Sequence, residues 1–487
     1  MDHLSPEDAR LLYADTPHAN GNVSLIHIYD QRTAPGGTVR FKTILQQIES
    51  RLSRSPVFRR KLVRVPLELD LPYWVDDAHF DLEYHVRHIA LPKPGDWRQF
   101  CIQVSRIHAR ALDLDRPPWE IYVIEGLDSF IDLPPGSFAL VTKTHHAVVS
   151  ADHGAAFTEL LHDLSAEAGQ PAPPQPWLPA PGPSAREVLT RGLVRTVTSP
   201  LRLAAPVTRA LVQAAPAALA KAGERWLGHA RLQAIRFNSA VSSHRVFETR
   251  RFPIDDFKRI RGLVDGASVN DVVLAVCGGA LRRYLMLHGE LPAEGLTAIA
   301  PVYVRGADDE ADAAPTQLTW LQAPLHTELA DPRERLAAIV AHTAASGTVK
   351  QAVSVPDIIA HHAPAATLAL ASQLFGRTLA SRGRHTPLAH CTITHVPGSD
   401  HALFLCGARL VYFSAMLPLH DGMGLVFAVT TVDGRIVISP TSCRELMPDP
   451  EVFATQLRES YEELRAAAEA ARVAAPERAP RRASRRR

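Results

Sequence analysis

From Ser137 to Thr144 the chain is apolar and β-prone; it then runs into two adjacent histidines, His145 and His146, and a helical pattern from Phe157 to Leu164 follows. A strand that hands over to a helix through such a pair constrains the fold more than any other stretch. It asks for layered helices and strands with reactive groups at a strand end. Adjacent residues on an extended chain point to opposite faces, so only one of the two histidines can face a given pocket. A neutral imidazole placed there suits a general base.

The same alternation continues on both sides. Ser5 before Pro6-Glu7-Asp8 reads as the cap of a short helix. Val23–Tyr29 alternates like a strand, Thr43–Leu52 and Phe100–Leu112 have helical periodicity, and Phe58–Val65 and Trp74–Val86 read as strand pieces. Asp113–Leu127 turns at Pro117-Pro118 and becomes a strand. These elements predict a first domain over 1–165. Between Ala166 and Ser184 the composition shifts to Pro, Ala and Gly, and Arg186–Ile235 is Ala-rich and helical in pattern, broken by Pro200, Pro206 and Pro216. That makes 166–235 a Pro-rich linker and basic helical connection.

A second domain is expected over 236–471. Val246–Pro253 reads as a strand, and Ser268 caps a helix over Asn270–His288, with Asp271 completing a capping box in place of Glu. Thr297–Val304 is a buried-type strand, and Asp331-Pro332 opens another helix. Short strands at Ile393–Pro397, Ala408–Ala415, Gly424–Val432 and Arg435–Pro440 precede a last helix over Pro450–Ala471. The remaining 472–487 reads as a disordered basic tail.

A net charge of +2 conceals an uneven distribution, because the tail and the 186–231 segment each carry +6. The body is therefore acidic. The basic helical segment has two readings: a surface that meets anionic lipid, or helices packed between domains with arginine outward. The five cysteines are scattered and never in CxxC spacing, which argues for a reducing compartment and against a zinc site. The first residues lack a signal-peptide pattern, and no apolar run reaches the ~20 residues of a spanning helix, so a cytoplasmic protein with at most peripheral membrane contact is expected. No P-loop, GxGxxG or HExxH is present, which leaves nucleotide hydrolysis, dinucleotide redox chemistry and zinc hydrolysis without support. No cofactor, metal or specific nucleic-acid partner is expected.

Several phrases, taken in order, resemble the bacterial wax ester synthase/acyl-CoA:diacylglycerol acyltransferase family. They are Leu4-Ser5-Pro6-Glu7-Asp8, Arg116-Pro117-Pro118-Trp119-Glu120, Val269-Asn270-Asp271, Pro301-Val302-Tyr303-Val304-Arg305, His395-Val396-Pro397-Gly398-Ser399 and Pro418-Leu419-His420-Asp421-Gly422. Each is weak alone; the ordered set, spanning Leu4 to about Leu464, is strong. The resemblance implies a mixed α/β fold of two chloramphenicol-acetyltransferase-like lobes with an active-site channel between them. It implies transfer of a fatty acyl group from acyl-CoA, a substrate, to diacylglycerol or a long-chain alcohol, giving triacylglycerol or wax ester. It favours His146 as the general base with His145 in support. Asn270 has two readings, an oxyanion donor or, with Asp271, a structural role at the helix start.

The family pattern HHxxxDG, laid on the chain without a gap, puts its Asp on Ser150 and its Gly on Ala151, with Asp152 two residues later. Three readings follow: Asp152 takes over the loop, Ser150 suffices, or catalysis is impaired and the chain acts as a lipid-surface or scaffolding protein. Transfer to another lipid or a polyketide alcohol is a further alternative. His395 replaces the Asn of the family's NVPGP phrase, His361-His362 reads as a surface pair, and Asp421-Gly422 as a turn.

Overall fold

Strands that are buried on both faces organise the molecule. The computed structural model describes residues 2–130, 132–148, 158–167, 177–184, 186–194, 232–304, 317–346, 387, 389–399 and 401–474. With elements numbered in chain order, one sheet of six strands runs β13 (Phe404–Leu405), β14 (Ala408–Met416), β2 (Asn22–Asp30), β7 (Ser137–His145), β6 (Trp119–Leu127) and β5 (Val86–Ala90). Every residue of β7 is buried, as its continuous β-prone run requires. Ile26, Ile28, Ala139 and Val141 pack against α4 (Trp97–Ala109) on one face, while Tyr29, Leu140 and Trp119 meet α2 (Phe41–Arg51) on the other. Helix α4 starts on a capping box between Asp96 and Gln99.

The second sheet, of seven strands, runs β11 (Gln317–Pro324), β10 (Thr297–Val304), β12 (Cys391–His395), β15 (Leu425–Val432), β16 (Arg435–Cys443) and β8 (Arg245–Phe247), with β9 (Arg250–Pro253) also on β16. The stretch expected as one strand over Val246–Pro253 is thus two. The reason lies across the ladder: Pro440 of β16 has no N–H to give, so only the Glu248 N–H bond to its carbonyl survives there, at 3.4 Å. Helix α6 (Val269–Leu287) is almost wholly buried between this sheet and α7 (Pro332–Ser346) and α8 (Pro450–Ala474). A small sheet of β1 (Asp2–His3), β4 (Tyr73–Asp76) and β3 (Arg60–Val63) lies beside α1 (Pro6–Tyr13), whose Leu12 and Tyr13 share a cluster with Leu62 and Leu71.

The division of the sheets does not follow the division of the chain at 165 and 236. Strand β14 comes from the second half yet pairs antiparallel with β2 of the first, Phe413 opposite His27 and Ala415 opposite Leu25. The two sheets also touch there, through the Thr430 hydroxyl that donates to Phe413 O at 2.6 Å. Elsewhere the first lobe grips the second through Trp97 of α4, whose indole N–H donates to the buried Glu248 carboxylate. Of the expected 166–235 connection, the described part is docked rather than free. Ala180 N–H donates to Asp76 at 3.0 Å, Arg59 lies over the Trp177 ring, and Val188 packs with Val65, Tyr73 and Val75. The tail at 475–487 lies outside the described residues. All five cysteines are free.

Candidate active site

The histidine pair sits at the end of β7, where that strand runs out between its two neighbours. His145 N–H donates to Pro118 O at 3.2 Å, and His146 N–H to Gly21 O at 2.7 Å, so the pair is held from β6 on one side and β2 on the other. The phrase Pro117-Pro118-Trp119-Glu120 earns its place here: Pro118 steadies His145, and the Trp119 indole is fully buried with its N–H on Phe58 O at 3.0 Å. Glu120 receives the buried Lys143 ammonium at 3.4 Å, Arg87 at 3.2 Å and the Tyr122 hydroxyl at 2.8 Å. Burial pulls the Lys143 ammonium down to about 8, with Glu120 opposing.

The two rings point to different company, as adjacent residues at a strand end should. His145 is buried, and its Nδ1 accepts from Ala147 N–H at 3.1 Å. That fixes the proton on Nε2, which donates to Asp15 Oδ2 at 2.9 Å. Asp15 follows α1 and takes Gly21 N–H on its other oxygen at 2.8 Å. Gly21 is required: a Cβ there would stand 2.9 Å from His145 Nε2.

His146 is half-buried, on the short helical turn after β7. Burial lowers it to about 4, helped by the nearby charges of His145 and His420. His420 comes from the loop after β14. It keeps surface open to solvent while protein surrounds it closely enough that burial lowers its pKa, as befits a residue lining an internal passage. Asp15, Arg245 and Asp421 are the charges within its reach. Asp421 accepts Val241 N–H at 2.8 Å and stands 3.4 Å from His18 Nε2, while Arg245 Nη2 donates to His18 O at 2.8 Å. Residues of both lobes therefore converge on His146.

The other expected site residues fall differently. Asp271 is structural: it completes the capping box with Ser268 and accepts the Thr343 hydroxyl at 2.8 Å. Asn270, one residue earlier, is exposed. Ser150 and Asp152, like His361 and His362, lie outside the described residues. Sequence reasoning passed over Asp15, His18, Arg245 and His420, and took Asp421 only as part of a turn. Gly422 does turn, with φ 81°, but the Asp421 carboxylate also ties that turn to Val241 and His18. The signal was the phrase Pro418–Gly422 itself, whose variable position is a histidine. Among the described residues, no group of three or more His, Cys, Asp or Glu is placed to hold a metal ion.

Two lobes joined by an exchanged strand, with a histidine from one facing a loop of the other, define the two-lobed acyltransferase class. The solved wax ester synthase/diacylglycerol acyltransferase of Marinobacter aquaeolei shares this fold, with a TM-score of 0.68 at 23% identity over 96% of this chain and 100% of that one. A trichothecene 15-O-acetyltransferase of Fusarium sporotrichioides does so at 0.58 and 10% identity, over 96% and 94%. Residues 4–273 match the wax ester synthase/diacylglycerol acyltransferase catalytic domain, and 316–465 match the C-terminal domain. A putative diacylglycerol O-acyltransferase of Mycobacterium tuberculosis is 32% identical over 473 residues, 95% of this chain and 90% of its own length. One from Mycobacterium bovis is 32% identical over 483 residues, covering 96% and 91%. The chain belongs to the wax ester synthase/diacylglycerol acyltransferase family.

Proposed function

We propose that the chain transfers a fatty acyl group from acyl-CoA to the hydroxyl of diacylglycerol or a long-chain alcohol, with His146 as general base. The observation that carries this reading is the position of His146: neutral at pH 7, half-open, and met by His420 from the opposite lobe. An alcohol is a poor nucleophile until its proton has somewhere to go. In this reading His146 takes that proton as the alcohol oxygen attacks the thioester carbon. The tetrahedral intermediate then collapses, the C–S bond breaks, and the proton passes from His146 to the departing CoA sulfur. The His145–Asp15 pair holds the turn that carries the base, acyl-CoA enters as substrate, and no cofactor takes part. The test is release of free CoA by the purified chain given a long-chain acyl-CoA, with and without diacylglycerol or fatty alcohol. Release that requires the acceptor and yields the ester supports the proposal; no ester with either acceptor sinks it.

The same reading places the chain at a lipid surface. Among the described residues no helix is long and apolar enough to cross a membrane. The helical segment 186–194 nevertheless exposes Leu193 and Val194 beside Arg191, and a Cβ at its Gly192 would lie 3.0 Å from Val65, near the 84%-exposed Leu67. Apolar and basic groups together suit peripheral contact with anionic lipid. Flotation with anionic vesicles should weaken in Leu193→Asp; equal flotation of variant and native chains would refute the contact.

A further inference from the structure

Away from the histidines, the outer face of the second lobe holds a pocket of about 330 Å³ between α6, α7 and α8, whose lining includes Arg282, Arg283, Arg335, Met286, Leu287 and Glu463. Arg335 is only 1% exposed. Its Nη1 donates to Leu329 O at 2.9 Å, but Nε and Nη2 have no partner among the described residues. A guanidinium cannot shed its proton to escape burial as a lysine can. Its unmatched N–H groups therefore call for an oxygen acceptor, and a buried positive charge favours one that is anionic.

Two further features converge on the same spot. The buried Ser460 hydroxyl also lacks a partner among the described residues. Gly279, in the middle of α6, lines the pocket, and a Cβ there would strike Ser460 Oγ and stand 2.8 Å from Arg335 Nη2. Glycine is a poor choice for a helix interior, so its use here keeps that corner open.

The neighbouring charges leave Arg335 short of a counter-ion. Arg283 uses Nε on Gln456 at 3.0 Å and its other two nitrogens on Glu459 and Glu463. Glu463, the one acid named in the lining, is thus already engaged while also facing Arg335. Asp331 is occupied in capping α7 through the N–H groups of Arg333 and Glu334, at 2.8 and 2.9 Å. Arg282 adds a further positive charge, with Nη1 on Thr327 O at 2.7 Å.

We propose that this pocket binds a phosphate-class oxyanion, free or carried on a lipid headgroup. Arg335 Nε and Nη2 form one edge of the guanidinium fork and suit two oxygens of one phosphate. The Ser460 hydroxyl supplies a third donor. Met286 and Leu287, 55% and 64% exposed, put apolar groups at the rim, where the chains of a lipid would pass.

The test uses the full chain at fixed ionic strength. Inorganic phosphate should raise its melting temperature by roughly 2 °C or more where chloride does not. That response should vanish in Arg335→Met, which should itself melt no lower than the native chain because a buried charge has been removed. Arg282→Gln, at the half-buried rim, should fold normally and weaken the response severalfold. Vesicles containing phosphatidate should bind the native chain more tightly than neutral ones, and lose that preference in Arg335→Met and Met286→Ser, if the phosphate is lipid-borne. Phosphate stabilisation without vesicle preference assigns the site to a free phosphate. No response to either probe, or one that persists undiminished in both Arg335→Met and Arg282→Gln, overturns the proposal.

Discussion

His145 and His146 are neighbours in sequence whose surroundings share almost nothing. His145 is enclosed by the first lobe, its tautomer fixed by Ala147 N–H and its proton given to Asp15. His146 is tied down only through its backbone, its ring half-open and facing His420 of the other side. One ring is immobilised so that the next can be presented. The comparison teaches that the conspicuous doublet is two devices: an anchor paired with a carboxylate, and a base kept neutral by burial. It also shows why a histidine doublet is a weak signal on its own, since only the surroundings separate the roles.

Removing the presented ring should have the largest effect. His146→Ala should lower acceptor-dependent CoA release by ~10²–10⁴, the usual range for a lost general base, with little change in melting temperature. Activity near the native level would reverse the two roles. Breaking the anchor comes second. Asp15→Ala should reduce kcat by roughly 10–100-fold through misplacement of the turn, and cost about 1–3 kcal/mol in urea denaturation because His145 Nε2–H is left buried and unmatched. Asp15→Asn keeps an acceptor oxygen and should recover much of both losses; a variant as damaged as Asp15→Ala would mean that charge rather than geometry is needed.

The smallest effect should be on the acid limb of activity. A histidine lowered to about 4 stays neutral well below pH 6.5, so kcat/KM should hold between pH 7 and 5 and fall only as pH approaches 4. His420 contributes to that lowering, so His420→Gln should move the limb upward toward 6.5, by less than one unit. A limb near 6.5 in the native chain would show that His146 is not held as its burial implies. Circular dichroism at each pH separates titration from unfolding.

What could be read from the sequence was local. Ser5, Ser268 with Asp271, and Asp331 all cap the helices that they were expected to cap, because a cap is decided within four residues. Strands β2, β7, β10 and β15 fell close to their predicted bounds for the same reason: alternation and apolar runs are short-range patterns. Contacts between distant residues left no such trace. Asp15 stands on His145 across 130 positions, and nothing in the phrase around Asp15 marks it as a histidine partner. The partner of a strand is likewise invisible to its own periodicity, which tells which face is buried and not what it lies against. That is why Ala408–Met416 was recognised as a strand and assigned to the wrong lobe.

That exchanged strand has a consequence for how the protein comes into being. The first sheet lacks β13 and β14 until the chain has been made past Met416, well after the residues of the catalytic domain match end at 273. During synthesis β2 stands as an unpaired edge beside the finished β7, a template that other chains could add to. The last helices of the second lobe emerge only afterwards, so both halves must mature nearly together. The segment named as the catalytic domain is a unit of sequence descent, and it becomes a unit of folding only when the far half of the chain arrives to close it.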